Sequence, residues 1–432
     1  MVVIGGGLAG AEAAYHLARR SIPVRLYEMR PQKPTLAHHT DLLGELVCSN
    51  SLKADTLPSA HGLLKAEMRR LNSLVLRAAD ASRVPAGSAL AVDREQFAHY
   101  LTGVISNQPN ITLVREEKTT LPADGITIVA TGPLTSAALT AQIQSHLGSE
   151  HLYFYDALSP IVTAESIDYH QTFFASRYGV GRQDDYLNCP LDRQTYERFC
   201  TELVSAECTP PHNFEEEIFF EGCLPIEEMA RRGLRTLAFG PLKPVGLQCP
   251  ERPPPYAVVQ LRREDRMSSA YNLVGFQTRL KYGEQRRIFR LIPGLEQCEF
   301  LRLGSVHRNT FLNAPRLLHP TLQARKRPEL FFAGQITGVE GYVESAATGL
   351  LAGINAAALY RGLPLQVPPV TTAHGALVRY IAEANPATFQ PMNINFGLLP
   401  ALDPPVRSKQ ERRAAMATRA LGDFEQWQQH LV

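Results

Sequence analysis

The 432-residue sequence predicts an α/β protein whose parallel sheet is interrupted by a smaller α+β insertion domain. Three apolar runs that each end in a glycine turn, at residues 2–7, 126–132 and 330–334, are typical of parallel strands leading into helices. Prolines are frequent between the second and third runs, and positive and negative charges are segregated there. A chain of this length fits two domains. The predicted division is 1–182 and 301–432 for the first domain and 183–300 for the insertion.

Composition places the protein among ordinary globular proteins. Hydrophobic residues make up 44% and charged residues 20%, and the net charge is +2, which excludes a disordered or a strongly charged chain. The seven cysteines are scattered without a C-x-x-C pair, so a disulfide scaffold or zinc ribbon is excluded and a reducing compartment is indicated. The 13 histidines lack metal-ligand spacing, so no metal site is expected. Without a signal peptide or a long apolar stretch, we expect a cytoplasmic protein.

The first element carries a nucleotide-binding pattern. The apolar run continues into Gly5-x-Gly7-x-x-Gly10, ten residues rich in helix formers, and an alternating strand that ends at Glu28. In this context Gly5 makes the tight turn, Gly7 lets the backbone approach a pyrophosphate, and Gly10 lets the helix pack on the sheet. Glu28 would accept a hydrogen bond from a ribose hydroxyl, which completes a Rossmann-like site. Its predicted residues are Gly5, Gly6, Gly7, Leu8, Ala9, Gly10 and Glu28.

A second glycine-rich segment favours FAD over NAD as the dinucleotide. The third strand ends at Gly334-Gln335 and leads through Gly341-Tyr342 into a long helix of small residues. Such a helix would bring a second N-terminus to the pyrophosphate and the flavin ring. The chain has no second G-x-G-x-x-G, so a dedicated nicotinamide domain is not expected. The alternative is a buried helix that merely packs through Ala and Gly. These four residues join the predicted FAD site.

Two cysteines stand out by their surroundings. Cys48 precedes Ser49-Asn50-Ser51, any of which could cap a following helix, and Cys223 precedes a first-turn proline, Pro225. A thiol just before a helix N-terminus has a lowered pKa and is more nucleophilic at neutral pH. The neighbouring glutamates oppose this effect, so an additional cation or a bound phosphate would have to help. The alternative is a small buried hydrophobe. A structural role of that kind is expected for Cys189, Cys200, Cys208, Cys249 and Cys298.

Residues 231–290 carry an excess of positive charge. They hold 13 Lys or Arg and only four acids, interleaved with aromatic residues. Positive charge binds a phosphate backbone and aromatic faces stack on splayed bases, which is how looped RNA is recognised. The stretch therefore favours an RNA-binding surface, and the alternative is an ordinary solvated surface.

Longer segments, distributed over nearly the whole chain, identify a family. They are residues 3–14, 27–31, 47–52, 85–94, 219–225, 240–246, 334–342 and 393–400. Together they resemble the folate- and FAD-dependent tRNA (uracil-5-)-methyltransferases, small relatives of the glucose-inhibited division protein A flavoproteins. The two segments that contain Cys48 and Cys223 are specific, whereas the N-terminal glycines alone are not.

The resemblance implies an FAD-binding domain of the glutathione-reductase type and methylation of the tRNA T-loop uridine, position 54, to ribothymidine. Methylenetetrahydrofolate would provide the one-carbon unit and reduced FAD the electrons, with NAD(P)H as the co-substrate that reduces FAD from solution. Cys223 matches the family's nucleophile, which adds to uracil C6 and makes C5 reactive. Cys48 matches the flavin-proximal cysteine, the candidate base for the C5 proton. No membrane and no obligate protein partner are expected.

Three other functions stay open on the sequence alone. A related flavoprotein family installs aminomethyl groups on wobble uridines together with a GTPase, but its members are longer. A flavin/NAD(P)H oxidoreductase acting on a small molecule fits the FAD domain, although a disulfide reductase needs a closely spaced cysteine pair. A non-catalytic flavin-bearing protein would bind tRNA with a steep salt dependence and transfer no carbon.

Overall fold

The structure, a computed structural model, describes residues 1–35, 37–148, 151–182, 184–209, 224–247 and 253–431. Its helices are α1 Leu8–Ala18, α2 Ala60–Arg70, α3 Leu74–Ala81, α4 Arg94–Ser106, α5 Ala137–Leu147, α6 Arg193–Ser205, α7 Ile226–Arg231, α8 Thr236–Phe239, α9 Tyr282–Phe289, α10 Ala314–Leu317, α11 Tyr342–Tyr360, α12 Ala373–Glu383 and α13 Lys409–Gln429.

The strands of the described residues form two sheets of six strands, one of three and one pair. They are β1 Val2–Ile4, β2 Val24–Glu28, β3 Ser51–Ala54, β4 Arg83–Val84, β5 Ala89–Val92, β6 Ile111–Arg115, β7 Thr127–Val129, β8 His151–Ala157, β9 Ile161–Thr163, β10 Phe173–Phe174, β11 Tyr186–Leu191, β12 Ala257–Arg263, β13 Ala270–Leu273, β14 Phe300–Arg302, β15 Val306–Leu312, β16 Gln323–Ala324 and β17 Arg327–Phe332.

The first sheet has the strand order β16–β17–β7–β1–β2–β6, and every pairing in it is parallel except that of β16 with β17. The three predicted strands β1, β7 and β17 are therefore neighbours, with Val2 opposite Thr127 and Thr127 opposite Leu330. Parallel strands that are covered on both faces appear in a sequence as continuous apolar runs. The predicted α/β architecture with a Rossmann-like sheet is confirmed.

Helix α11 packs against α1 through small residues. A Cβ on Gly349 would lie 2.2 Å from the carbonyl oxygen of Ala9, and one on Gly353 would lie 2.9 Å from that of Ala13. The two helices can approach this closely only because glycine has no side chain. This contact brings the N-terminus of α11 alongside the glycine turn that begins α1.

The second sheet has the order β10–β11–β12–β13–β9–β14 and is antiparallel throughout. It has its own hydrophobic core, to which α6, α7 and α9 contribute buried residues. The pair β8 and β15 joins it to the first sheet, since the chain leaves along β8 and returns along the antiparallel β15. The division at 183 and 300 stays a prediction. Strands β9 and β10 precede 183 yet belong to the second sheet, because strands of two or three residues leave little mark on composition.

Helix α13 packs one face against the core of the first sheet. Its first turn is capped by the Ser408 hydroxyl, which accepts the Glu411 N–H at 3.4 Å, and Phe424 and Trp427 are buried. Among the helices in the described ranges, none is both long and apolar enough to cross a bilayer.

Candidate active site

The glycine turn between β1 and α1 allows unusually close backbone contacts. Gly5 has a φ of +104°, and a Cβ at this position would lie 2.5 Å from the Ala130 carbonyl oxygen. A Cβ on Gly10 would lie 1.8 Å from the Gly5 carbonyl oxygen, so a side chain is excluded at both positions. Gly7 is the N-cap of α1, and no side chain in the described part of the chain caps that end. The positive end of the helix dipole is therefore available to an anion.

Glu28, at the end of β2, is held next to this turn and is only 6% exposed. Its Oε2 accepts the Gly6 N–H at 2.9 Å, and its Oε1 accepts from the Arg30 Nε at 2.9 Å and the Arg30 N–H at 3.1 Å. Burial raises the pKa of Glu28, but the hydrogen bonds and charge of Arg30 and the Gly6 N–H outweigh burial and lower it. Arg30 is fixed in turn by Glu45 at 3.0 Å. The carboxylate is therefore ionised and rigidly placed.

The second glycine-rich segment reaches the same place, because β17 pairs with β7, which in turn pairs with β1. The Ala333 N–H donates to the Val129 carbonyl at 3.0 Å, and a Cβ on Gly334 would lie 3.0 Å from that of Ala9. Gln335 Nε2 donates to Glu340 at 2.7 Å. Helix α11 begins after Gly341 without a side-chain cap from the described residues, so a second positive helix end faces the glycine turn.

A cavity of about 1040 Å³, including space open to solvent, lies between these elements. Of the predicted cofactor residues, Gly6, Gly10 and Gly341 support its walls rather than line it. Two uncapped helix ends, a buried ionised carboxylate and a turn without side chains fit the pyrophosphate and ribose of FAD. The predicted residues that line the cavity are Gly5, Gly7, Leu8, Ala9, Glu28, Gly334, Gln335 and Tyr342.

Cys48 lies beside one end of this cavity and is half-buried. Its neighbour Val47 lines the cavity, as does Tyr342. The backbone N–H groups of Cys48 and Ser49 both donate to the Tyr342 hydroxyl, at 2.7 and 3.2 Å. Burial raises the pKa of Tyr342, so its hydroxyl is neutral. The first residue of α11 thus ties the Cys48 segment to the cavity.

The prediction that Ser49, Asn50 or Ser51 caps a following helix is wrong. Residues Ser51–Ala54 form β3, and the next helix, α2, begins at Ala60 with Ser59 as its cap. The Ser49 hydroxyl instead accepts the Ser51 N–H at 3.0 Å, within a turn. Serine and asparagine bond local backbone in turns as well as at helix N-termini, so the sequence pattern does not distinguish the two. Activation of Cys48 by a helix that begins directly after it is therefore excluded.

Cys223, the predicted nucleophile, lies outside the described residues, as does Cys249. The short helix predicted behind Cys223 is confirmed as α7, with Pro225 at its N-cap and Gly233 after its end. Burial raises the pKa of Cys189, and it raises that of Cys298 to about 11. These two cysteines and Cys200 are buried, whereas Cys208 is half-buried.

The basic stretch 231–290 does not form one solvated surface. Arg231 and Arg279 share Glu228, and Arg287 pairs with Glu202 and Glu284. Among its aromatic residues, Tyr271, Phe276 and Phe289 are in the core of the second sheet. Exposed parts of the stretch lie around α8 and along α9. On α8, Phe239 is 71% exposed and the Arg235 guanidinium stacks on its ring at 4.9 Å.

Sequence reasoning missed residues that complete the site. Arg30 orients Glu28 from two positions along the chain, a local signal that could have been found. The turn 131–136 after β7 lines the cavity, and Glu45 holds Arg30 from the loop before Cys48. The sequence marks the turn after β7 only as the end of a strand and does not mark Glu45, because the proximity of both to the glycine turn is created by the fold.

The chain matches known proteins over most of its length. Residues 1–364 match the family described as glucose inhibited division protein A. The methylenetetrahydrofolate–tRNA-(uracil-5-)-methyltransferase TrmFO of Moorella thermoacetica is 57% identical over 422 residues, 98% of this chain and 96% of that protein. The TrmFO of Desulforudis audaxviator is 58% identical over 431 residues, 99% of this chain and 98% of that protein.

The crystal structure of Aquifex aeolicus GidA, form II, has a similar fold. It matches with a TM-score of 0.72 at 18% identity, covering 100% of this chain and 73% of that one. Together with the matched family and the highly identical relatives, this likeness agrees with the parallel sheet and cavity described above. The chain belongs to the glucose inhibited division protein A family and, within it, to the group of tRNA (uracil-5-)-methyltransferases named TrmFO.

Proposed function

We propose that this protein transfers a one-carbon unit from methylenetetrahydrofolate to C5 of a tRNA uridine and reduces it to a methyl group, with FAD as cofactor. The observation that carries the proposal is the position of Cys48 beside the dinucleotide cavity, where Tyr342 of that cavity binds its backbone N–H at 2.7 Å. The 57–58% identity to TrmFO proteins over nearly the whole chain supports the same function. The T-loop uridine at position 54 is the proposed target.

The proposed chemistry assigns one role to each cysteine. The Cys223 thiolate forms a bond to uracil C6, and the displaced electron pair makes C5 nucleophilic toward the folate methylene. The Cys48 thiolate then takes the C5 proton, and the C–H bonding pair expels tetrahydrofolate to leave an exocyclic methylene. Reduced FAD, when bound in the cavity, would supply the hydride that converts this methylene into a methyl group. As C5=C6 forms again, the bond to Cys223 breaks and its thiolate is released.

The FAD site is proposed to use the residues that line or support the cavity. The N–H groups at the start of α1, from Gly7 to Ala9, would bind the pyrophosphate, and Glu28 would hold the ribose. Gly334, Gln335 and the α11 N-terminus would face the flavin end of the cofactor. NAD(P)H would reduce FAD from solution, because the chain offers only one dinucleotide fingerprint.

The tRNA is proposed to contact the exposed surface around α8. Phe239 is available for stacking on an unpaired base, and Arg235 over its face adds positive charge. Lys243 follows in the next loop, where its carbonyl oxygen accepts a hydrogen bond from Arg177 at 2.9 Å. In the chain, this surface follows soon after the segment that contains Cys223.

Reconstitution tests the proposal. The purified yellow protein is incubated with methylenetetrahydrofolate, NADPH and unmodified tRNA, and ribothymidine is measured and located by mass spectrometry of nuclease fragments. Ribothymidine at position 54 without any added GTPase is the expected result. NADPH oxidation without a methylated nucleoside, or modification only at the wobble uridine with a GTPase, would contradict it.

A further inference from the structure

The segment from Leu46 to Asn50 is held by three arginines that come from distant parts of the chain. Arg302, at the end of β14, donates to the Val47 and Cys48 carbonyl oxygens, both at 3.0 Å. Arg94, the first residue of α4, donates to the Cys48 carbonyl at 3.3 Å and to the Leu46 carbonyl. The Cys48 carbonyl therefore lies between two guanidinium groups.

The third arginine, Arg262 of β12, completes this cluster. Its Nε donates to Asn50 Oδ1 at 2.7 Å and its Nη2 to the Ser49 hydroxyl at 3.2 Å. The Asn50 amide donates in turn to the Arg263 carbonyl at 2.8 Å. Two of the three arginines stand on the second sheet, so the Cys48 segment is fixed between the two sheets.

The charges of this cluster do not balance among the described residues that contact it. Glu264, which bonds to Arg94, is the carboxylate of the cluster and is 7% exposed. Arg262 is equally buried, and Arg302 is half-buried. Three positive charges against one negative charge leave an excess of two. An excess charge that is wholly or partly buried is costly, and the cost falls when an opposite charge is brought close.

Two of the three arginines, Arg262 and Arg302, have lowered pKa values, as expected where negative charge is short. Burial, and then the like charge of Arg94, lowers the pKa of Arg302, while Glu264 and Cys48 act against this. Burial lowers the pKa of Arg262, and Cys48 is again among the groups that oppose the shift. Burial lowers the pKa of Arg94, but Glu264, Tyr342 and Cys48 together outweigh burial and raise it. Cys48 is thus among the charge partners of all three arginines, and Tyr342, another titratable group beside it, is neutral.

We propose that Arg94, Arg262 and Arg302 are positioning residues that hold the Cys48 segment at the cavity and supply the positive charge that stabilises the Cys48 thiolate. They take the place of the helix that the sequence pattern predicts directly after this cysteine. The mechanistic meaning rests on the proposed function, in which Cys48 removes the C5 proton as a thiolate. The electrostatic effect itself requires neither tRNA nor folate and is measured without them.

Alkylation of the FAD-loaded enzyme by iodoacetamide, followed over a range of pH by peptide mass spectrometry at Cys48, tests the proposal. The wild-type midpoint is expected well below the value of about 8.5 for a free cysteine. Arg302→Gln should raise the midpoint by about one pH unit and slow alkylation at neutral pH by about tenfold. Arg302→Lys keeps the charge and should restore most of the shift.

Glu264→Gln provides a change of opposite sign, because it removes the negative charge of the cluster and should lower the midpoint. Arg290→Gln is the matched control, since Arg290 donates to the Cys298 carbonyl at 2.9 Å and should leave Cys48 unchanged. If Arg302→Gln does not fold, the Glu264→Gln and Arg302→Lys variants still decide. A wild-type midpoint near 8.5, or a midpoint that Glu264→Gln does not lower, would overturn the proposal.

The outcome for Cys48 chemistry is separate from that for the methylation reaction. If the alkylation midpoints shift as expected but Cys48→Ala still forms ribothymidine fully, the arginine effect stands and Cys48 is not the base. If the midpoints do not shift but Cys48→Ala loses activity, Cys48 stays the candidate base and the arginine effect is rejected.

Discussion

The first and second sheets hold their functional residues in different ways. On the first sheet, the glycine turn and Glu28 lie within 28 residues and bond directly to each other through the Gly6 N–H at 2.9 Å. On the second sheet, Arg262 and Arg302 reach across to a segment more than 200 residues away in the chain. The comparison teaches that cofactor binding is encoded locally, whereas the setting of Cys48 is created by the contact between the two sheets. Variants in the two regions should therefore fail in different ways.

The largest effect is expected from Cys223, which the sequence assigns to the predicted insertion domain. Cys223→Ala should reduce ribothymidine formation by more than about 10³-fold, because no thiolate is then available to activate C5. The purified variant should keep its full flavin absorbance, since the residue is far in sequence from the FAD site. Cys208→Ala, a half-buried cysteine of the same region, serves as the control and should remain active. Loss of flavin together with activity would break the comparison between the two regions.

The first region should show the reverse pattern. Gly10→Ala would place a Cβ 1.8 Å from the Gly5 carbonyl oxygen, which must displace the turn. We expect loss of FAD on purification and a decrease of about 2 kcal/mol or more in the free energy of unfolding. Gly103→Ala is the matched control. No described atom lies within 4 Å of its Cβ position in α4, and it should stabilise the protein by about 0.5–1 kcal/mol. Denaturant unfolding and the visible absorbance spectrum report both effects, and a yellow, fully stable Gly10→Ala protein would contradict the assignment.

Glu28→Gln should weaken FAD binding by about ten- to a hundredfold, since a charged hydrogen-bond acceptor of about 1.5–3 kcal/mol becomes neutral. The dissociation constant is measured by titrating apoprotein with FAD. Glu329→Gln, an exposed position on β17 of the same sheet, should leave it unchanged. Equal affinities for wild type and Glu28→Gln would remove Glu28 from the site.

The pH dependence of stability gives a second test of Glu28. Because the folded-state pKa of Glu28 is depressed, its contribution is present above the unfolded value of about 4.3 and is lost as the pH falls through the folded value. The difference in melting temperature between wild type and Glu28→Gln should therefore be constant near neutral pH and shrink below about pH 4. A difference that grows toward acid pH would show that the sign is wrong.

The smallest effect is expected on the α8 surface. Arg235→Ala should lower tRNA affinity by a few fold and reduce the slope of log affinity against log salt by about one, while FAD binding stays unchanged. Arg193→Ala removes an exposed arginine that pairs with Glu197 at 2.8 Å and serves as the control. Binding is measured with unmodified tRNA at several salt concentrations. An unchanged salt slope in Arg235→Ala would place the RNA on another surface.

The sequence predicts the features around the glycine turn well and those around the Cys48 segment poorly. The glycine turn, Glu28 and the helix after Gly341 are local patterns, and the structure places them around one cavity as expected. A helix cap and the turn after Cys48 use the same side-chain bonds to backbone, so the sequence pattern does not separate them. The charge of residues 231–290 also misleads, since pairing partners such as Asp184 and Glu202 lie outside the stretch. Pairings over long sequence distances leave no local signal.

The most direct test of the central claim uses tRNA in which 5-fluorouridine replaces uridine. Fluorine at C5 blocks proton removal, so a thiolate that has added to C6 stays covalently bound once the methylene group is transferred. With methylenetetrahydrofolate, the account predicts a stable protein–RNA adduct whose digested peptide carries the nucleotide on Cys223, and no adduct for Cys223→Ala. An adduct on another residue, or ribothymidine formation from normal tRNA by Cys223→Ala, would contradict the account.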